Sequence, residues 1–410
     1  VYKRQVKRWC MTESIPVAQR LSAVKPSATV AVAQRARELK AQGIDVLSFS
    51  VGEPDFDTPE YIREAAKQAI DDGATRYTAA RGTVELREAI CAASAKRRSG
   101  VSYDPSEVVV SVGAKHTLFN LALALYDPGD EVLIPAPYWV SYPEQVRLAG
   151  ANPVIVQTTE DEGFRMTPDT LRAAITPKTK ALLLCSPSNP TGAAYTGEQL
   201  RALADVAVEH DFWIIVDEIY GQLVYGGFEQ KSIIEVAPEL RDHIIIVDGV
   251  SKTFAMTGWR IGWMLGPEYV TKACDKIQGQ ATTNPSSVAQ QAAIAALTGP
   301  WAPMETMRLA FEERRSIIVD GLNAIDGISC RLPEGAFYAY PNVQGLLGKE
   351  GGGKVLETDL DLAGYLLEEA RCAVVPGTAF GSPGFVRMSY AAANDMIREG
   401  LNRIGEAVSK

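Results

Sequence analysis

The segment GVSKTFAMTGWRIG (249–262) concentrates the most chemistry in the chain. Lys252 follows a β-branched run and a glycine, where a strand end meets a loop, and α/β sheets place ligands beyond such ends. Ser251 precedes it, and Arg260 follows eight residues on with small residues between. A lysine flanked by a hydroxyl and a guanidinium suits a phosphate-bearing aldehyde: the amine condenses with the carbonyl while Ser251 and Arg260 hold the dianion. FWIIVDEIY (212–220) ends a second apolar run with Asp217 and, three residues on, Tyr220. A strand-end acid is commonly a helix cap. Here it also suits a carboxylate that keeps a pyridine nitrogen protonated, the state in which such a ring withdraws electrons. Tyr220 would donate to the ring oxygen, with Asn189, from the turn CSPSNPTG (185–192), sharing it. SVGAKHT (111–117) places Gly113, Ala114 and Lys115 between a strand and a helix, where backbone N–H groups attract an anion.

Positioning these groups requires strands that end together. Apolar β-branched runs occur at 108–112, 131–136, 153–158, 180–186, 212–218, 243–249 and 261–266. Their lack of alternation predicts strands buried on both faces, as in a mostly parallel sheet. Helix-period stretches lie between. Leu118, Leu121, Ala122 and Leu125 share one face, Thr196 and Gln199 form a capping-box pattern before 200–209, and Thr58-Pro59 opens a helix that Gly73 closes. The expected fold is α/β: a large α/β domain (58–300) with a seven-stranded, mostly parallel sheet. A smaller α+β domain (301–410) follows, with one long helix over 303–325, strands at 335–340 and 385–391, helices near 360–371 and 393–408, and a loop tip at GKEGGGK (348–354). Residues 11–57 read as an arm and part of the small domain, and basic residues 1–10 as a non-structural extension.

Composition narrows the function classes. With 41 Lys plus Arg against 50 Asp plus Glu, the formal charge is −9, which argues against nucleic acid as a partner. No apolar run approaches a membrane span. Three histidines in no metalloprotease spacing leave no metal site to propose, and six scattered cysteines with no C-x-x-C predict reduced thiols and a cytoplasmic setting.

Taken together, these segments resemble the class I aminotransferases of the fold-type-I pyridoxal-phosphate enzymes, from about Ser22 to the C-terminus. KPSAT (25–29), VGEPDFDTP (51–59), APYWVSYP (136–143), GAFY (335–338) and VRMSYA (386–391) resemble, more narrowly, bacterial and plastid aspartate aminotransferases, a group that includes prephenate aminotransferases. The resemblance implies pyridoxal 5′-phosphate as cofactor, with Lys252 its Schiff-base lysine and proton shuttle. Trp139 would stack on the ring and, with Asn189, touch substrate. Ser251, Arg260 and the Gly113–Lys115 amides would hold the phosphate, joined by Tyr77 from the partner subunit of a homodimer. Arg387 would clamp the substrate α-carboxylate and Gly52 would meet substrate through its backbone. Lys115, Lys25 and Thr29 would meet the distal carboxylate. One departure stands beside this: the older aspartate aminotransferase branch uses a partner-subunit arginine for that group, no clear counterpart of which is found here, so the dicarboxylate assignment rests on the two lysines. The implied activity is ping-pong transamination between aspartate or glutamate and 2-oxo acids, extending to prephenate. A lyase sharing the same ring-binding set and a non-catalytic sensor domain stand as alternatives. The sensor lacks room, since the first strand candidate starts at Val46.

Overall fold

A computed structural model describes residues 17–26 and 28–409; the extension expected over 1–10, and Ser27 of the KPSAT segment, lie outside the described residues. All seven apolar runs form strands of one sheet: β1 (Val108–Val112), β2 (Glu131–Ala136), β3 (Asn152–Gln157), β4 (Thr179–Cys185), β5 (Trp213–Asp217), β6 (Ile244–Gly249) and β7 (Ile261–Leu265). Their order is β1-β7-β6-β5-β4-β2-β3. Only β7 runs against its neighbours. Both β6 and β7 are buried along their whole length, because helices cover both faces. Strand β3 departs from the expectation. At the sheet edge it has no buried residue, so its apolar run is half-covered rather than enclosed.

Register brings the strand ends into line. Cys185 pairs with Asp217, Asp217 with Val247, Gly249 with Gly262 and Ser111 with Gly262. The loops leaving β4, β5 and β6, the loop leaving β1 and the loop entering β7 therefore open on one edge.

Helix Gly197–Glu209 begins with the expected capping box, Thr196 accepting from the Gln199 N–H and Gln199 from the Thr196 N–H. Thr58 does not cap its helix. Pro59 holds the cap position of Glu60–Asp71, and the Thr58 hydroxyl instead donates to the Ala255 carbonyl (2.6 Å) and accepts from the Trp259 indole (3.0 Å), tying that helix start to the loop after Lys252.

The long helix over Ala302–Asn323 links two cores. Met304 belongs to the core around the large sheet, while Met307, Phe311, Ile318 and Leu322 pack with the C-terminal elements. There a three-stranded antiparallel sheet joins Val375–Pro376, Val386–Ser389 and Tyr338–Ala339, with helices at Asp359–Glu368 and Asn394–Val408. The strands are shorter than the apolar runs at 335–340 and 385–391, because those runs continue as buried irregular chain. The Gly-rich 348–354 segment is a hairpin, Glu350–Gly351 pairing with Lys354–Val355, its turn built on Gly352 and Gly353 at positive φ. The N-terminal segment joins this end of the molecule: Leu47–Ser48 pairs in parallel with Cys372–Ala373.

One glycine governs how closely sheet and helix approach. A Cβ on Gly262 would lie 2.2 Å from the Ala114 nitrogen, at the start of helix Ala114–Leu125. Gly262→Ala should therefore push that helix start off β7, at a cost of roughly 1–3 kcal/mol for overpacking. A lowered Tm in calorimetry, with secondary structure retained by circular dichroism, is the expected result.

Candidate active site

The aligned strand ends floor a cavity of about 430 Å³. Asp217, the last residue of β5, is 4 % exposed. Its Oδ2 accepts from the Tyr142 hydroxyl at 2.9 Å and its Oδ1 from the Ile219 N–H at 3.2 Å. Burial pushes its carboxyl up to about 6 against those two hydrogen bonds, with Asp248 adding to the rise and Lys252 opposing it. Lys252 follows β6, and its Nζ donates to the Gly52 carbonyl at 2.6 Å. Desolvation lowers its ammonium to about 8. Arg387 and Arg260 push the same way, while Glu53 and Asp217 pull back. The cavity thus holds an acid that resists ionising and an amine that resists protonation, a separation of roles suited to proton transfer.

Arg260, left-handed at φ 55°, lies against the helix start that Gly262 admits. A Cβ on Gly113, itself at φ 83°, would fall 2.5 Å from its Nη2. Guanidinium, the opening amides of helix Ala114–Leu125 and Ser251 thus converge on one corner, a cradle for an anion. Arg387, from the middle strand of the small sheet, is 2 % exposed. It donates to Asn189 Oδ1 (2.9 Å) and to the Ser50 carbonyl (2.7 Å), and its Nε is buried with no partner among the described residues. A buried guanidinium with donors to spare calls for a planar anion. Because Asn189 accepts through its oxygen, its NH₂ remains a donor toward the cavity. Lys115 lines the mouth, its Nζ 4.9 Å from the Trp139 ring centroid. Though its stem is exposed, partial desolvation and then Arg260 hold its ammonium below the ordinary lysine value. Tyr220 is buried, its hydroxyl 2.9 Å from that of Tyr338.

Of the residues singled out in the sequence, Gly52, Thr29, Ala114, Lys115, Trp139, Asn189, Asp217, Tyr220, Ser251, Lys252, Arg260 and Arg387 all line this cavity, and Gly113 underlies Arg260. Two do not reach it. Lys25 has an exposed side chain outside that lining, and its backbone N–H is held by Glu144 (2.9 Å), on helix Ser141–Leu148. Tyr77 is 89 % exposed, outside the cavity of its own chain. Three contributors were not singled out. Tyr142 lies one helical turn after Trp139 in PYWVSYP, so its reach to Asp217 was a spacing signal. Tyr338, in GAFY, crowds Gly52, where a Cβ would fall 2.5 Å from its hydroxyl. Arg37 lines the mouth from an arm helix with no local motif.

A larger cavity, about 540 Å³, is lined by Arg97, Arg98, Glu218, Asp248 and Trp301. There Arg98 pairs with Glu218 (2.6 Å) and Asp248 (3.4 Å), and Arg97 with Asp248 (3.4 Å), so the buried arginines face carboxylates.

The family model of class I and II aminotransferases matches residues 44–404. The chain belongs to that family. Among curated aminotransferases, it is 49 % identical to the aspartate aminotransferase of Geobacillus stearothermophilus, over 95 % of this chain and 98 % of that one. It is also 49 % identical to the aspartate/prephenate aminotransferase of Cereibacter sphaeroides, over 94 % and 96 %. Of solved aminotransferase structures, the aspartate aminotransferase of Rhizobium meliloti superposes with a TM-score of 0.94 at 44 % identity, covering 97 % of this chain and 99 % of that one. That of Thermus thermophilus with maleate gives 0.90 at 45 %, covering 96 % and 100 %. The shared architecture is the fold-type-I α/β fold, as the sequence implied. Among the described residues, no helix is long and apolar enough to cross a membrane.

The raised Asp217 carboxyl has a thermodynamic consequence. Its folded value lies above the ordinary 3.8, so the folded chain holds that proton more tightly than the unfolded one. Stability from this group is therefore lost as the pH rises from about 4 to about 6, and stays lost above. In protein stripped of small molecules, Asp217→Asn should raise stability at pH 7.5 by on the order of 1–3 kcal/mol. Denaturant titrations at pH 4 and pH 7.5 should show the gain shrinking at the lower pH.

Proposed function

We propose that this aminotransferase uses pyridoxal 5′-phosphate to exchange the amino group between aspartate or glutamate and 2-oxo acids, and that it accepts prephenate. The observation that carries the reading is one cavity in which the lowered Lys252, the buried Asp217, the Arg260 cradle and the under-satisfied Arg387 face each other, in a chain of this family. The names of its relatives, aspartate aminotransferase and aspartate/prephenate aminotransferase, support the substrate class.

The residues present fit that cofactor. Arg260, Ser251 and the Ala114 and Lys115 amides would hold its phosphate. Asp217, steadied by Tyr142, would hold a proton at its ring nitrogen. Tyr220 and the Asn189 amide would donate to its phenolic oxygen, and Trp139 would cover a ring face. When bound, the cofactor supplies an aldehyde that condenses with amines and a protonated ring that withdraws electrons from the substrate α-carbon. Arg387 fixes the α-carboxylate, orienting the α-hydrogen. Lys252 Nζ, a neutral base at a pH near its lowered value, takes that proton and returns it on the other side of the exchange. Gly52 accepts a hydrogen bond from Lys252 and keeps the amine at the cavity floor.

Tyr77, exposed on its own chain, would complete the phosphate site of a partner subunit in a homodimer. The proposed setting is the cytoplasm, supported by five described cysteines that are free thiols. Neither nucleic acid nor membrane enters the reading. A lyase of the same fold would turn over a single substrate without a keto-acid partner.

Two substitutions test the reading. Lys252→Ala should lose turnover and any borohydride-reducible lysine adduct; an adduct that survives in the variant, located by peptide mapping, would place the covalent lysine elsewhere. Lys115→Ala should lower kcat/KM for aspartate by roughly tenfold to a hundredfold, the value of a charge-assisted contact of about 1.5–3 kcal/mol, while alanine suffers much less. The assay is an amino-donor by keto-acid matrix that includes prephenate. Wild type that ignores prephenate would reduce the reading to aspartate aminotransferase.

A further inference from the structure

Charges around the cavity do not balance, and the surplus lies at the mouth. Among the described residues, Lys252, Arg260, Arg387, Lys115 and Arg37 line it against a single lining carboxylate, Asp217. The inner three cations already have work in the proposed reaction: covalent attachment, phosphate and α-carboxylate. Lys115 and Arg37 remain.

Arg37 reaches the mouth from helix Ala28–Ala41. Thr29, Val30, Ala33 and Arg37 all line the cavity, and their spacing of i, i+1, i+4 and i+8 places them on one helical face. The adjoining face holds the helix in place, with Ala36 and Leu39 buried against Val46, Leu367 and Ala373. Neighbouring charges are engaged elsewhere. Glu38 accepts from Gln34 and lies near Arg35, and Glu368 also faces Arg35. Among the described residues, neither Arg37 nor Lys115 forms an ion pair with a carboxylate. An exposed arginine on an arm helix is ordinarily solvated surface. This one lines the same cavity as Arg387, the residue proposed above to hold the substrate α-carboxylate.

We propose that Arg37 is a specificity-determining residue that grips the distal carboxylate of dicarboxylic substrates together with Lys115. Lys115 supplies a point charge stacked on Trp139, which attracts a carboxylate without fixing its orientation. A guanidinium fork supplies the planar, two-point contact that a carboxylate matches. The arginine comes from the same chain as the rest of the cavity lining, so distal recognition needs no partner-subunit arginine. This inference rests on the dicarboxylate reading above and deepens it.

The test uses the holoenzyme with Arg37→Ala and Arg37→Lys, the exposed position leaving the fold intact by Tm. Steady-state kcat/KM is measured for aspartate and alanine, and binding of succinate and propionate is followed by calorimetry. Arg37→Ala should lower aspartate kcat/KM by about tenfold to a hundredfold and leave alanine within about twofold. It should weaken succinate binding by a similar factor and leave propionate unchanged. Arg37→Lys should recover part of the loss, a charge without the fork. Unchanged aspartate and succinate values in Arg37→Ala, beside a loss in Lys115→Ala, would overturn the proposal and return Arg37 to the solvated surface. Equal losses on all four ligands would overturn it too, as a structural effect. Wild-type enzyme that prefers alanine to aspartate and binds succinate no better than propionate would instead sink the dicarboxylate reading itself.

Discussion

A carboxylate at the end of a buried strand is costly unless something cationic answers it, and the site is organised around that cost at Asp217. The cation that acts on it, Lys252, is itself lowered by burial and by two arginines, so the two groups only partly compensate each other. Tyr142 and the Ile219 amide fix where the carboxylate points without neutralising it. The remaining demand is for a positive, planar partner in the cavity. The surrounding cations set the complementary demand, for anions at the Arg260 corner, at Arg387 and at the mouth. A ligand carrying one cationic ring atom and several anionic groups meets both.

Sheet register turns these local demands into one site. Since Cys185, Asp217 and Val247 are neighbours across three strands, and Gly249 and Ser111 both oppose Gly262, chemistry written at separate strand ends is delivered to one edge. This is why so much was legible in the sequence. A strand end followed by a polar residue states both the residue and its place, and Lys252, Asp217, Asn189 and Lys115 each carry that signature. Thr196 and Gln199 state their own cap just as locally.

What escaped reading depends on packing between distant segments. Tyr338 matters because it meets Tyr220, 118 positions earlier, inside the core shared with the C-terminal elements, and nothing near it in sequence says so. Arg37 sits on a helix whose burial is decided by Leu367 and Ala373. Lys25 shows the converse: its motif is intact, yet Glu144, over a hundred residues away, takes its backbone. An edge position, unreadable from an apolar run, left β3 half-covered, and Thr58 exchanged a local cap for a tie to the loop after Lys252.

The hydrogen bonds of Arg387 reach Ser50, 337 positions earlier, and Asn189, 198 earlier, while Lys252 reaches back 200 to Gly52. During synthesis the arm therefore leaves the ribosome long before any of its partners. Its Gly52 carbonyl stays hydrated until Lys252 has been made, and its Ser50 carbonyl until Arg387, near the end of the chain, arrives. Contacts of such long separation form late and slowly. Nascent or truncated chains would carry a folded large sheet and no competent site, so catalytic competence reports that the whole chain has been made and docked.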